Sequence, residues 1–224
     1  MKSLTAFKKY SCSIAVFCCL LLLTNCGDDK SEKSKQSSDN KTSQESIRFG
    51  TVISIVDGDT FVLSSGKSVR ISAVNTPESG ELFYDEAKEY LSGLVLGKKV
   101  VLHLVGPGLD RYGRILAEVY VDSVNVGLSI LKMGMGLLYL FPDNAYLKDK
   151  YLPVLLQAQQ KKSGIWSLPE PAAEEFYINI KGSYRFHRPL CYHLKDVDRG
   201  KMQIIRSRKE AFALGLSPCR SCKP

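Results

Sequence analysis

The 224-residue chain is 44% hydrophobic, 9% aromatic and 24% charged. This composition excludes collagen-like, wholly disordered and multi-span membrane proteins, and it is typical of a folded chain with short attachments. The net charge of +8 is unevenly distributed: residues 181–224 carry 11 basic and 3 acidic side chains, whereas residues 27–180 carry 17 and 20. The central region therefore has a net negative charge, which repels a polyanion. If it binds one, it needs a local cluster of basic side chains.

The N-terminus has the pattern of an export signal. Three lysines precede an uncharged apolar stretch at residues 11–24, which is shorter than the ~20 residues of a membrane-spanning helix. The stretch ends in Leu-Thr-Asn-Cys, so residues 1–26 resemble a bacterial lipoprotein signal peptide. This resemblance implies acylation of Cys26 and a chain anchored, outside the cytoplasm, to an inner or outer cell membrane. Asn25 departs from the small residue usual there, so a secretory signal and an uncleaved anchor are the alternatives.

Residues 27–46 follow this signal as a polar, charge-alternating segment. It has no apolar side chain larger than threonine, so nothing in it offsets the entropy lost on ordering. We predict a disordered linker that holds a folded body away from a membrane.

The body from residue 47 onward alternates short β-branched runs with helical patterns. Turn sequences of Asp-Gly-Asp and Ser-Ser-Gly separate the first three runs. The predicted strands cover residues 48–56, 60–63, 67–74, 99–105 and 115–121, and the predicted helices cover residues 82–96, 126–133 and 145–162. This order predicts a mixed, mainly β domain over residues 47–168, with a five-stranded barrel and about three helices.

Polar residues interrupt this β-rich body at unusual places. Asp57 and Asp59 stand two apart, so an extended backbone points both carboxylates the same way. Arg70 lies inside an apolar strand, residues 75–78 form an Asn-Thr-Pro-Glu turn, and Arg114 precedes another strand. Oxygen ligands suit a hard cation, arginine forks match phosphate oxygens, and a carboxylate can activate water. Each motif also has an ordinary structural explanation as a turn or a salt-bridged surface residue, and only the ordered set favours phosphodiester chemistry.

The ordered set resembles the staphylococcal nuclease (thermonuclease) family. VDGDT, RxxxVNTPE, DRYGR and GIWS, which contains the single tryptophan Trp166, follow one another between about residues 48 and 167. The resemblance implies an OB-fold barrel with three helices that hydrolyses DNA and RNA with Ca²⁺. It further implies that Arg70 and Arg114 clamp the phosphate, that Glu78 orients or deprotonates the attacking water, and that cleavage leaves 3′-phosphate ends.

The resemblance also implies a Ca²⁺ site. Asp59 and the carbonyl of Thr76 become ligands, and Asp57 lies near the metal. The family commonly has aspartate at the position of Asn75. Asparagine still provides a carbonyl oxygen, but the site loses a negative charge, so we expect weaker metal binding.

Aromatic residues flank the nucleotide in this family. Tyr112 and Tyr139 occupy matching positions here, with Phe141 close by. Stacking tolerates any base, which suits a nuclease without strict sequence preference. For Phe141, filling the rim of the barrel is an equal alternative.

The basic C-terminal segment, residues 181–224, has metal-ligand spacing. Four of the seven cysteines lie in the signal, and the remaining three are Cys191, Cys219 and Cys222. With His187 they form HxxxC followed by CxxC, a pattern typical of tetrahedral Zn²⁺, which would stabilise a segment with little core of its own. One disulfide with a free thiol is the alternative, and His193 is a substitute ligand.

This segment resembles the small zinc-binding domain of bacterial alkylation-repair methyltransferases, although His187 replaces the first cysteine there. Its basic residues predict a phosphate-facing surface, with a merely solvated face as the alternative. They are Arg185, Arg188, Lys195, Arg199, Lys201, Arg206, Arg208, Lys209, Arg220 and Lys223.

Together these patterns predict an extracytoplasmic Ca²⁺-dependent endonuclease, lipid-anchored through Cys26 or secreted, that acts on DNA and RNA. A catalytically weak nucleic-acid-binding lipoprotein is the alternative, because of Asn75. An interaction module without a nucleic-acid role is a third, which the retained Arg70, Glu78 and Arg114 disfavour. No protein partner can be inferred from the sequence.

Overall fold

The computed structural model of the chain describes residues 47–224. The predicted signal peptide, the predicted lipidation site Cys26 and the predicted linker at residues 27–46 lie outside the described residues. Residues 47–224 belong to one compact unit. No helix among them has both the length and the apolar character needed to cross a membrane.

Residues 47–224 contain twelve strands and four α-helices. In chain order these are β1 (Ile47–Asp57), β2 (Thr60–Leu63), β3 (Ser68–Ile71), β4 (Ala73–Asn75), α1 (Tyr84–Val95), β5 (Lys99–Leu109), β6 (Ile115–Val121), β7 (Val124–Asn125), α2 (Val126–Lys132), β8 (Leu137–Tyr139), α3 (Lys148–Gln160), β9 (Tyr177–Ile180), β10 (Arg185–His187), β11 (Met202–Ile205), α4 (Arg208–Ala213) and β12 (Ser217–Pro218). Short 3-10 helices lie between several of them.

Five strands close into a barrel. β1 pairs antiparallel with β2 and β5, β2 pairs with β3, and β5 pairs with β6. A parallel pairing of β3 with β6 joins the two ends of this sheet. The predicted mixed, mainly β class and the five-stranded, OB-like barrel are therefore confirmed.

The barrel is filled by the apolar residues of alternating strand positions. Phe61, Ile71, Leu102 and Val119 are fully buried in one cluster that also takes in Leu155 of α3. Burial of each such side chain contributes roughly 1.5–3 kcal/mol relative to exposure. This core fixes the strand ends, and with them the polar residues between strands.

Several element boundaries differ from the sequence-based prediction, including the end of β5, which extends to Leu109 instead of residue 105. The strand expected over residues 67–74 breaks at Ser72, because Ala73 takes a left-handed conformation and β4 leaves the barrel to pair with β8. Helix α1 begins two residues late, after Phe83, which is also left-handed. The last predicted helix splits into a 3-10 helix, Pro142–Leu147, followed by α3.

Residues 177–224, hereafter the C-terminal module, form a four-stranded sheet in the order β11-β9-β10-β12, with α4 beside it. Tyr177, Phe186 and Phe212 are buried in a small core of its own. Trp166 and Leu137 of the barrel region pack against that core, and the Trp166 ring meets Phe212 edge-on at 4.9 Å. The C-terminal module is therefore attached to the barrel region by apolar packing.

Candidate active site

A cleft of about 360 Å³ opens where the β1–β2 turn, β3, the loop after β4 and the β5–β6 loop meet. It is lined by Asp57, Asp59, Arg70, Thr76, Pro77, Glu78, Tyr112, Arg114 and Arg220. The structure therefore brings together residues that are up to 163 positions apart in the sequence.

Asp59 is the most buried acid of this cleft, with 5% of its surface exposed. Its Oδ2 accepts from the backbone N–H of Thr76 at 3.0 Å and lies 2.9 Å from Nη2 of Arg70. Its Oδ1 accepts from the hydroxyl of Thr60 at 3.0 Å. These contacts fix the carboxylate in one orientation.

Burial raises the pKa of Asp59 from its usual 3.8 to about 6. The charge of Arg70 acts in the opposite direction, and the neighbouring Asp57 adds to the rise. Asp57 lies close because its Oδ1 accepts from the backbone N–H of Asp59 at 3.0 Å. The site therefore holds a desolvated carboxylate that Arg70 only partly compensates, and a further cation would stabilise its charged form.

The turn that carries the two acids packs tightly against the loop after β4. A Cβ placed on Gly58 would lie 2.7 Å from Oγ1 of Thr76 and 2.7 Å from Cβ of Ala87. Only glycine permits this close approach, so Gly58 brings Asp59 next to Thr76.

Two arginines enter the cleft from different strands. Nη1 of Arg70 donates to the carbonyl of Ile71 at 2.7 Å, and its Nη2 also lies 3.4 Å from Oδ1 of Asn75. Nε of Arg114 lies 2.8 Å from Oδ2 of Asp110, and its Nη1 lies 3.4 Å from Oγ1 of Thr60.

Asp110 is an anion, and its carboxylate holds the side chain of Arg114 in place. Burial tends to raise the pKa of Asp110, but hydrogen bonds from the Arg114 side chain and from backbone N–H groups lower it overall. Both arginines are thus positioned by carboxylates, with their remaining donors available to a phosphate.

Glu78 and Asn75 are contacted by a residue that sequence reasoning did not place in the site. Nη2 of Arg220, in the C-terminal module, lies 2.9 Å from Oε1 of Glu78 and also donates to Oδ1 of Asn75. The sequence indicated Arg220 only as one of ten basic residues on a phosphate-facing surface. No sequence signal distinguishes it, since the contact depends on how the C-terminal module docks.

The predicted stacking residues lie in different surroundings. Tyr112 lines the cleft and is 68% exposed, with the guanidinium of Arg114 at 5.4 Å from its ring centre. The ring of Tyr139 is covered by the guanidinium of Arg185 at 3.4 Å, and Phe141 meets it edge-on at 5.2 Å. Tyr112 is therefore accessible to a base although Arg111 and Arg114 lie near its ring, whereas the guanidinium of Arg185 lies directly against the ring of Tyr139.

The four predicted metal ligands of the C-terminal module also come together. One ligand atom each from His187, Cys191, Cys219 and Cys222 lies within 4.8 Å of the others. Burial, followed by the charges of His193 and Arg185, lowers the pKa of His187, which favours the neutral, metal-binding imidazole. Among the described residues all three cysteines are free thiols.

The cluster is one that a cation could hold together. Burial acts to raise the pKa of the Cys219 thiol, but N–H groups of Cys222 and Ser221 outweigh it and favour the thiolate. The alternative ligand His193 instead lies 3.0 Å from the hydroxyl of Ser221. One histidine and three cysteines suit a tetrahedral Zn²⁺ site.

Two of the basic residues in this module use their guanidinium groups for contacts within the protein. Nη1 of Arg185 donates to the carbonyl of Leu140 at 3.0 Å. Arg188 pairs with Glu174 and donates to the carbonyl of Cys222 at 3.0 Å. The expected phosphate-facing surface is therefore smaller than the sequence count of basic residues implies.

Comparison with known proteins agrees with this architecture. The family model described as staphylococcal nuclease homologue matches residues 68–168. An uncharacterized endonuclease of Escherichia coli is 38% identical over 127 residues, which cover 54% of this chain and 79% of the relative. An uncharacterized endonuclease of Haemophilus influenzae is 36% identical over 128 residues, or 54% and 67% of the two chains. Endonuclease YncB of Bacillus subtilis is 29% identical over 155 residues, or 64% and 74%. The chain belongs to the staphylococcal nuclease homologue family.

Proposed function

We propose that the protein is a Ca²⁺-dependent endonuclease that hydrolyses phosphodiester bonds of DNA and RNA. Family membership and relatives named endonucleases support a nuclease-like domain. The observation that carries the proposal is the convergence of Asp59, Arg70, Glu78 and Arg114 on one cleft. Carboxylates beside two phosphate-matching guanidinium groups are what hydrolysis of a phosphodiester requires.

The residues that would hold Ca²⁺ are Asp59, the Thr76 carbonyl and Asn75, with Asp57 beside them. These are oxygen donors of the kind that Ca²⁺ prefers, and the raised pKa of Asp59 reflects a buried carboxylate short of positive charge. When bound, the metal supplies Lewis-acid polarisation of the scissile phosphate. Oδ1 of Asn75 is contacted by the guanidinium groups of Arg70 and Arg220. Both groups must move away from this oxygen before it can bind a metal ion.

The reaction we propose is in-line attack of water on phosphorus with cleavage of the bond to the 5′-oxygen, which leaves as a 5′-hydroxyl while the other end keeps a 3′-phosphate. Glu78, 60% exposed at its side chain, orients the water and accepts its proton. Arg70 and Arg114 stabilise the additional negative charge of the five-coordinate transition state. Tyr112 stacks on the base next to the reacting phosphate.

The C-terminal module binds Zn²⁺ in this proposal. The ligands are His187, Cys191, Cys219 and Cys222, and they link β10 to the C-terminal turn. Metal analysis of the purified protein should give about one zinc ion per chain, and Cys219→Ser should remove it. A protein two hydrogens lighter by mass spectrometry and free of zinc would instead identify a disulfide.

The location is proposed on sequence grounds alone. The lipoprotein-like signal supports a chain anchored through Cys26 outside the cytoplasm. Metabolic labelling with a fatty acid, lost in Cys26→Ala, would test this. Label retained by Cys26→Ala would contradict it.

Nucleic-acid binding with weak catalysis is the second candidate function. The specific observation in its favour is that Asn75 contributes no charge and faces two guanidinium groups. A binder of this kind keeps most of its affinity when Glu78 is replaced, because the phosphate contacts come from arginines.

The test uses residues 27–224, which retain every described residue, with plasmid DNA as substrate. We expect degradation in Ca²⁺, loss in EGTA and recovery when excess Ca²⁺ is restored. Glu78→Gln should lower the rate by about 100-fold or more. The matched control is Glu86→Gln, the same change at an exposed position of α1, which should keep full activity.

DNA binding without Ca²⁺-dependent degradation would overturn the enzyme and support the binding protein. Equal activity of Glu78→Gln and Glu86→Gln would remove Glu78 from the proposed mechanism.

A further inference from the structure

Arg220 belongs to the C-terminal module by sequence and to the catalytic cleft by position. It lies between Cys219 and Cys222 of the histidine and cysteine cluster, yet its guanidinium lines the cleft with Arg70 and Arg114. Its Nη2 contacts the Glu78 carboxylate at 2.9 Å. A third arginine therefore enters the site from a part of the chain beyond the family match, which ends at residue 168.

The backbone on both sides of Arg220 is fixed. The N–H of Cys219 donates to the carbonyl of Phe186 at 2.9 Å, and the N–H of Lys223 donates to the carbonyl of Cys219 at 2.9 Å. Nε of Arg188 donates to the carbonyl of Cys222 at 3.0 Å. The guanidinium is thus presented from an ordered turn, which lowers the entropy cost of binding a ligand.

The contacts of Arg220 with Glu78, with Asn75 and with the ring of Tyr139 at 5.2 Å are made by an exposed side chain and can be exchanged for a ligand. The side chains of Arg220 and Glu78 are 53% and 60% exposed, and exposed ion pairs contribute only about 0–1 kcal/mol. An incoming phosphate can replace Glu78 as the partner of the Arg220 guanidinium. The guanidinium then forms charge-assisted hydrogen bonds with the phosphate, and the Glu78 carboxylate is released.

The balance of charged side chains in the cleft also favours a phosphate contact by Arg220. Without Arg220 the cleft has three acids, Asp57, Asp59 and Glu78, against two arginines. Arg220 makes the numbers equal, in a chain whose residues 27–180 carry more acidic than basic groups. The C-terminal module therefore supplies positive charge where the barrel region lacks it.

We propose that Arg220 is a third phosphate-binding arginine of the cleft, and that it contacts a phosphate of the bound polynucleotide. This inference rests on the proposed nuclease function, whose site it completes. Arg220 supplies ground-state binding rather than chemistry, so its loss is expected in KM and in ligand affinity more than in kcat.

The experiment compares residues 27–224 with the variants Arg220→Ala and Arg220→Lys. The binding probe is thymidine 3′,5′-bisphosphate, which carries two phosphates and no phosphodiester bond, titrated by calorimetry in Ca²⁺. We expect Arg220→Ala to weaken binding by about tenfold or more, and Arg220→Lys to fall between the two, because lysine keeps the charge and loses the fork. On a fluorescent oligonucleotide, KM should rise by a similar factor with kcat nearly unchanged.

The matched control is Arg48→Ala, the same residue change at an exposed position of β1 that does not line the cleft. It should leave the affinity for the bisphosphate unchanged. Equal affinities of Arg220→Ala and Arg48→Ala would overturn the inference while leaving the nuclease intact. A rise in kcat/KM in Arg220→Ala would also overturn it, since Arg220 would then be an obstruction.

The binding measurement stays informative if the nuclease proposal fails. Wild-type protein without Ca²⁺-dependent hydrolysis, but with Arg220-dependent bisphosphate binding, would refute the enzyme and keep the phosphate contact. Absence of bisphosphate binding by the wild type would refute the phosphate contact itself.

Discussion

Replacing Asp59 by asparagine should remove a pH-dependent contribution to the stability of the Ca²⁺-free protein. The folded-state pKa of about 6 exceeds the ordinary 3.8, so between these pH values the folded protein binds more protons than the unfolded one. The contribution of Asp59 to the free energy of unfolding is therefore fully present below pH 3.8, and it is lost as the pH rises through 6. The difference corresponds to about 3 kcal/mol over the whole range, of which roughly half falls between pH 5 and 8.

Urea unfolding followed by Trp166 fluorescence measures this contribution. The wild type and Asp59→Asn are compared at several pH values from 5 to 8 without Ca²⁺, and titrating groups common to both proteins cancel in the difference. We expect the variant to gain on the order of 1 kcal/mol relative to the wild type across this interval. Asp196→Asn, at an exposed turn with an ordinary backbone conformation, provides the intrinsic effect of the same residue change.

Ca²⁺ adds a second readout to this experiment. At pH 8 added Ca²⁺ should stabilise the wild type and have little effect on Asp59→Asn, because in the proposed site the metal binds the folded state through this carboxylate. A stability difference that stays constant from pH 5 to 8 would refute the reasoning about burial. Equal stabilisation of both proteins by Ca²⁺ would refute the assignment of Asp59 as a ligand.

Two further predictions concern structural contacts. The hydroxyl of Tyr151 lies 2.9 Å from Oε1 of the buried Glu118, so Tyr151→Phe should lower the free energy of unfolding by about 1–2 kcal/mol in urea titrations; an equally stable variant would show that the other partners of Glu118 suffice. Phe212 is 3% exposed and contacts Trp166, so Phe212→Ala should cost about 3 kcal/mol or more and change the Trp166 fluorescence spectrum; an unchanged spectrum would contradict the packing of the C-terminal module on the barrel region.

The barrel was predictable because local patterns determine it. Alternating apolar residues and glycine-containing turns indicate strands, and the five-stranded barrel follows from their order. The strand boundary at Ser72 was not predictable, because the left-handed conformation of Ala73 is imposed by pairing of β4 with the distant β8. Residue type alone gives no reason for an alanine to adopt it.

The site was predictable to the extent that its residues lie in contiguous motifs. Asp57, Asp59 and Glu78 lie in short motifs whose spacing suggests a shared role, and the structure places them in one cleft. Arg220 lies 145 positions from its partner Asn75. Its contact depends on docking of the C-terminal module, which no local pattern encodes. The cover of Arg185 over Tyr139 has the same origin.

The packing of Trp166 and Leu137 against the core of the C-terminal module has a consequence for protein engineering. Those two residues belong to the barrel region, yet they contact Tyr177, Phe186 and Phe212 or their neighbours in that core. A gene fragment ending near residue 168 would leave this apolar surface in water, and the module grafted onto another barrel would lack its complement. The two parts are therefore expected to unfold in one cooperative transition.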